Sequence, residues 1–69
     1  MDSNIFKGKW KQLKGESQKQ WGKLTNDDLD VINGEKEKLV GKIQERYGYA
    51  KDKAESEYDS WSSTFKDRD

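Results

Sequence analysis

The three tryptophans, Trp10, Trp21 and Trp61, are the feature that most constrains what this chain can fold into. The 69-residue chain is 41% charged and only 29% hydrophobic, a composition typical of disordered proteins. Its few large apolar residues nevertheless recur at the three- and four-residue spacing of an amphipathic helix. Because this helical spacing is not expected in a disordered chain, the sequence predicts a small helical domain.

The first apolar stripe predicts a helix that begins near Ser3, a favourable N-cap residue, and ends around Gly22. Projected onto an ideal helix, the residues of this stripe fall on one narrow face, with a serine in its centre. They are Phe6, Trp10, Leu13, Ser17, Trp21 and Leu24.

A local capping signal predicts a short second helix. Thr25 is a suitable N-cap, and Asp28, three residues later, takes the acidic position of a capping box. Asp27 and Asp28 also favour the positive end of the helix dipole. The residues predicted to face the core are Leu29 and Ile32, and those predicted to end the helix are Asn33 and Gly34.

Two longer helices are predicted in the second half of the chain, separated by Gly48, a favourable C′ residue. The third runs from about residue 35 to 47 and the fourth from about 50 to 65, and residues 66–69 are predicted to fray. The residues predicted to face inward are Leu39, Val40, Ile43 and Tyr47 in the third helix, and Ala50, Ala54, Tyr58, Trp61 and Phe65 in the fourth.

These elements predict an all-α fold: a small bundle of about four helices in a single domain over residues 1–69, with its core at about 4–65. Since the chain has no cysteine to form a disulfide and no histidine for the usual zinc sites, its stability must come from aromatic packing and helix propensity. We expect that stability to be marginal.

Catalysis is poorly supported by the residue types present. Without cysteine or histidine, the usual nucleophiles and general bases are missing. Asp27, Asp28 and Asp30 lack the glycine and the terminal glutamate of a calcium loop, and capping explains them better. We therefore predict a non-enzyme with no catalytic, cofactor-binding or metal-binding residue, no cofactor and no small-molecule substrate.

The chain carries no signal-peptide pattern and no apolar stretch long enough to span a bilayer. The expected location is the cytoplasm.

The net charge is zero, but its sign alternates along the chain: +4 in residues 1–24, −4 in 25–37, +3 in 38–53 and −3 in 54–69. One interpretation is attraction between these segments within the fold. The other is a basic face offered to a polyanion. A nucleic-acid-binding module would then use the first helix and the Tyr47–Lys53 turn, with Lys11, Lys14 and Lys51 as candidate phosphate contacts.

The sequence also resembles the CsbD-like family of small bacterial stress-response proteins, from roughly Phe6 to Trp61. The resemblance rests on ordered blocks of sequence, with a departure at Asn26 and in the polar C-terminal segment. These blocks are Lys7–Gly15, Trp21–Leu29, Gly34, Leu39–Tyr49 and Ala54–Glu55.

The resemblance implies a compact fold of two orthogonally packed helical hairpins, like those of SAM-type domains, and expression under stress. It transfers no catalytic or ligand-binding residues. The leading hypothesis is a hydrophilin-like protective or interaction protein without enzymatic activity. A nucleic-acid-binding module and a protein–protein interaction module are the alternatives, so the partner is unknown and is expected among proteins or nucleic acids.

Overall fold

The computed structural model describes residues 8–66, with side chains as far as Thr64. This part of the chain forms four α-helices and no strand, which confirms the all-α bundle. The helices are α1 (Trp10–Gln20), α2 (Asn26–Ile32), α3 (Lys36–Tyr47) and α4 (Lys51–Lys66). The predicted start near Ser3, the inward positions of Phe6 and Phe65, and residues 67–69 of the predicted tail lie outside what is described.

Helix α1 ends at Gln20, two residues before the predicted end at Gly22. Trp21 has left the helical conformation, at φ −122° and ψ 83°, although its N–H still donates to the carbonyl of Ser17 at 2.8 Å. The next turn is closed by the N–H of Leu24, which donates to the Trp21 carbonyl at 3.0 Å. Both apolar residues are 2% exposed, so their burial is as predicted but is achieved through a turn.

The capping box that begins α2 is confirmed. The Thr25 hydroxyl accepts from the N–H of Asp28 at 3.1 Å, and the Thr25 N–H donates to Oδ2 of Asp28 at 3.0 Å. Left-handed residues follow two of the helices, with φ of +46° at Asn33, +80° at Gly34 and +72° at Gly48. Glycine adopts this conformation without steric cost, which explains why the local signals located both helix ends.

The core lies where α3 packs against both α2 and α4. Trp21 and Trp61 meet edge to face, with ring centroids 5.1 Å apart, an arrangement that aromatic pairs prefer. The buried apolar residues are Trp10, Leu13, Trp21, Leu24, Leu29, Ile32, Leu39, Val40, Ile43, Ala54, Tyr58 and Trp61.

Three predictions for the second half of the chain were wrong in detail. Tyr47 is only half-buried because it packs on the edge of the core. Ala50 is exposed because it precedes α4, which begins at Lys51. Lys66, expected in the frayed tail, is the last residue of α4. The orthogonal, SAM-type arrangement of two hairpins stays a prediction.

Candidate functional site

A nearly buried carboxylate joins helices α2 and α3. Asp28 lies in the first turn of α2 and its side chain is 3% exposed. Arg46, in the last turn of α3, holds it with two bonds: Nε donates to Oδ2 at 2.8 Å and Nη2 to Oδ1 at 2.9 Å. Lys42, one turn earlier in α3, places Nζ 3.5 Å from Oδ1. The anion thus lies at a helix N-terminus and the cation near a helix C-terminus, each at the favourable end of its dipole.

The contacts of Asp28 determine its protonation. The hydrogen bond from Arg46, followed by that from the Thr25 backbone, holds the pKa of Asp28 well below its usual range, although burial acts in the opposite direction. The same contact raises the pKa of Arg46. A general acid or base needs a pKa near the working pH. Asp28 is therefore an ionised anchor between α2 and α3, unsuited to proton transfer at neutral pH.

A second group of contacts joins the α1–α2 turn to the α3–α4 turn. We call Lys23, Tyr47, Tyr49 and Lys53 the tyrosine–lysine cluster. The two tyrosine rings stack with centroids 5.4 Å apart. Nζ of Lys23 lies 5.0 Å from the Tyr47 centroid, and Nζ of Lys53 lies 4.6 Å from the Tyr49 centroid. The backbone N–H of Lys23 also donates to the Tyr47 hydroxyl at 3.3 Å, so the cluster has both polar and cation–π contacts.

The three lysines proposed as phosphate contacts occupy different surroundings. Lys14 is ion-paired with Asp30 of α2, with Nζ 2.8 Å from Oδ1. Lys11 is exposed on α1, and Lys51 is exposed at the start of α4. No contact among the described residues joins Lys51 to either lysine of α1. Their role in nucleic-acid binding stays a prediction.

A shallow groove of about 370 Å³ lies between α3 and α4. Val40 is its buried apolar residue, and two lysines, two glutamates and an amide supply the rest of its lining. These polar residues are Lys36, Lys51, Glu37, Glu55 and Gln44. Within residues 8–66, no three acidic side chains converge closely enough to hold a metal ion.

Sequence reasoning identified Asp28 as a capping residue but missed its partner. Arg46 lies 18 positions further along the chain, beyond the range of any local pattern. A usable signal existed, because a short connection between α2 and α3 brings the first turn of one helix near the last turn of the other. The partnership between Lys23 and Tyr47, 24 positions apart, was missed for the same reason.

Comparison with known proteins gives a consistent family assignment. The CsbD-like family model matches residues 4–56. The UPF0337 protein YjbJ of Escherichia coli O6:H1 is 65% identical over 61 residues, covering 88% of each chain. YjbJ of Salmonella typhimurium is 61% identical over 63 residues, covering 91% of this chain and 90% of its own.

A more distant organism supports the same conclusion. A UPF0337 protein of Rhodopseudomonas palustris is 56% identical over 66 residues, which cover 96% of this chain and all of the relative. The similarity thus extends through all four helices and their connections. The chain is therefore a member of the CsbD-like family of stress-response proteins.

Proposed function

We propose that this protein acts in the cytoplasm as a non-enzymatic protectant, a folded and strongly hydrated molecule that keeps other macromolecules apart during stress. The observation that carries the proposal is the character of its surface. Among the described residues, Val31 is the one large hydrophobic side chain that is exposed, at 52%. A contiguous apolar patch is the usual mark of a surface that binds proteins or membranes.

The charge balance supports the same role. Fourteen basic and fourteen acidic residues give no net charge, so copies of the protein can accumulate without strong mutual repulsion. Many of these charges lie on the exposed faces of the helices, and exposed ion pairs contribute little to stability. We therefore assign the dense hydration of these charges to the protective role and not to the stability of the fold.

The non-enzymatic part of the proposal rests on the chemistry of the described side chains. Asp28, the carboxylate whose pKa is most strongly lowered, is held in its ionised form by Arg46 and the Thr25 backbone.

Within residues 8–66, no helix is long and apolar enough to cross a membrane. The absence of cysteine is compatible with a reducing compartment.

The two alternative functions, a nucleic-acid-binding module and a protein–protein interaction module, have weaker support. Lys14, one of the three proposed phosphate contacts, already has a carboxylate partner in Asp30. A protein–protein module is often marked by a contiguous apolar patch, and the exposed Val31 is too small to form one by itself.

The test is protection of lactate dehydrogenase through a cycle of drying and rehydration. The protein should preserve more enzyme activity than an equal mass of an inert globular protein. A variant with four exposed charges removed, K11Q, E16Q, K19Q and E37Q, keeps zero net charge and should protect less well. All four side chains are exposed and none forms a described hydrogen bond or ion pair, so the fold should be retained.

A matched control separates charge density from charge position. The double variant K11E and E16K keeps both the number of charges and the net charge, and it should protect as well as the parent. The proposal fails if the parent performs no better than the inert protein. It also fails if the charge-depleted variant protects as well as the parent.

A further inference from the structure

The lysines of the tyrosine–lysine cluster differ from the ion-paired basic side chains in lying over aromatic rings. Lys14, Lys42 and Arg46 each lie within 4.0 Å of a carboxylate. Lys23 and Lys53 have no described carboxylate partner, and the Nζ of each lies over the face of a tyrosine ring. The cluster therefore presents two uncompensated cations on an aromatic support.

We propose that the tyrosine–lysine cluster binds single-stranded nucleic acid, with a base stacked on a tyrosine ring and phosphates held by Lys23 and Lys53. The three contacts that link the cluster, of 5.0, 5.4 and 4.6 Å, limit the separation of the two ammonium groups to about 15 Å. A few nucleotides of an extended strand cover this distance. Aromatic rings beside a basic track are the recurring composition of single-strand binding surfaces.

Binding requires only an exchange of weak contacts. An exposed cation–π contact is weak, and a lysine can leave the ring to pair with a phosphate. The vacated ring face can then stack on a base, which is the stronger of the two aromatic contacts. Both rings are half-buried and held by the core, so little ordering of the protein is needed when the base arrives.

The same features disfavour two other anionic partners. A membrane surface needs apolar side chains that enter the interface, and the exposed large hydrophobic residue of the described chain, Val31, belongs to α2. Duplex DNA keeps its bases stacked inside, so a tyrosine ring cannot reach a base face without disrupting the duplex. An unpaired strand offers both phosphates and free base faces.

This inference does not rest on the protective role. The drying assay contains no nucleic acid, and a binding assay contains no labile enzyme. Failure of one therefore leaves the other proposal standing.

The experiment measures the fluorescence anisotropy of a dye-labelled 12-nucleotide oligothymidylate at low salt, together with the NMR signals of the tyrosine ring protons. We expect saturable binding and upfield shifts of the Tyr49 ring protons as a base stacks. Tyr49→Leu should weaken binding by about fivefold or more. Lys53→Gln should also weaken it and should reduce the slope of log affinity against log salt by about 0.7.

Lys19→Gln is the matched control, because Lys19 is an exposed lysine of α1 with no described contact. This variant should bind within about twofold of the parent, since it lies outside the proposed site. Tyr47 is left intact because its hydroxyl accepts a backbone hydrogen bond. Thermal melts of each variant confirm that the domain remains folded.

Four results would overturn the proposal. The first is no binding of oligothymidylate by the parent. The second is an unchanged affinity in both Tyr49→Leu and Lys53→Gln. The third is equal affinity for a 12-base-pair duplex without ring-proton shifts. The fourth is binding to vesicles of phosphatidylglycerol and phosphatidylcholine in place of the oligonucleotide.

Discussion

Replacing Asp28 with alanine should destabilise the domain far more than an ordinary surface substitution. The change removes one of the two hydrogen bonds of the capping box, from the Thr25 N–H to the Asp28 carboxylate, while the Thr25 hydroxyl still accepts from the backbone N–H of residue 28. A hydrogen bond of this kind contributes about 0.5–1.5 kcal/mol. The substitution also removes the paired hydrogen bonds to Arg46, and bonds to a charged group each contribute about 1.5–3 kcal/mol. Because Arg46 is 40% exposed and water replaces part of what it loses, we expect a total cost of about 2–3 kcal/mol.

That cost is a large share of what a domain of this size possesses, about 3–5 kcal/mol. The midpoint of thermal unfolding should fall by about 10–20 °C, given about 4–8 °C per kcal/mol for a small domain. Urea denaturation followed by circular dichroism at pH 7 measures the free energy directly. Asp27→Ala is the matched control, since Asp27 is exposed in the same helical turn and should cost at most about 1 kcal/mol.

The pH dependence provides an independent check. Because the pKa of Asp28 is lowered in the folded state, its contribution is complete above its unfolded pKa, near 3.9. That contribution is lost as the pH falls below this value towards the lower folded pKa. The parent should therefore lose stability on acidification below about pH 4, and Asp28→Ala should lose less.

A double-mutant cycle that combines Asp28→Ala with Arg46→Met measures the interaction energy between these two side chains. The double variant should lose less free energy of unfolding than the two single variants added together, because each single change already breaks the shared contact. The reasoning is refuted if Asp28→Ala costs no more than Asp27→Ala. Simple additivity in the cycle would also refute it.

The remaining predictions concern two buried aromatic residues and the backbone at two glycines. Trp61→Ala should cost about 3–5 kcal/mol in urea denaturation, and a cooperative melt near that of the parent would contradict its place in the core. Gly48→Ala should cost about 1 kcal/mol because φ is +72° there. Gly41→Ala should instead stabilise the domain by about 0.5–1 kcal/mol, because Gly41 lies inside helix α3. At both glycines an added Cβ would meet no atom within 4 Å, so the two substitutions differ only in backbone conformation. Equal changes in the free energy of unfolding would refute this explanation. Burial, with a smaller effect of Asp59, raises the pKa of Tyr58 to about 12. The contribution of Tyr58 to the stability of the parent should therefore be complete up to about pH 10 and be lost as the pH rises towards 12. The midpoint of thermal unfolding measures this loss, and Tyr58→Phe should remove part of it.

Local signals predicted the parts of the fold that depend on neighbouring residues. The Thr25–Asp28 box and the turns at Gly34 and Gly48 each need only a few consecutive residues. Helical periodicity also identified the core residues Leu39 and Ile43. Trp21 shows the limit of that pattern, because its burial fits the helical period while its backbone has already left α1.

The charged contacts could not be predicted in the same way. The sequence indicates that Asp28 and Arg46 carry opposite charges, but their contact requires α2 and α3 to be packed together first. Lys14 is a predicted phosphate contact because it belongs to the basic first helix. Its partner, Asp30, lies 16 positions away on another helix, so the ion pair is evident only from the folded structure. Lys23 was not selected, since its place beside Tyr47 exists only once the two turns meet.

The central claim is that a chain with the composition of a disordered protein folds cooperatively around a few well-placed apolar residues. Native-state amide hydrogen exchange, followed by NMR at pH 7, tests it most directly. We predict strong protection of the amides of Leu39 and Ile43 in α3, with opening free energies equal to that of global unfolding in urea. Exchange of these amides at the rates of an unstructured chain would contradict the account.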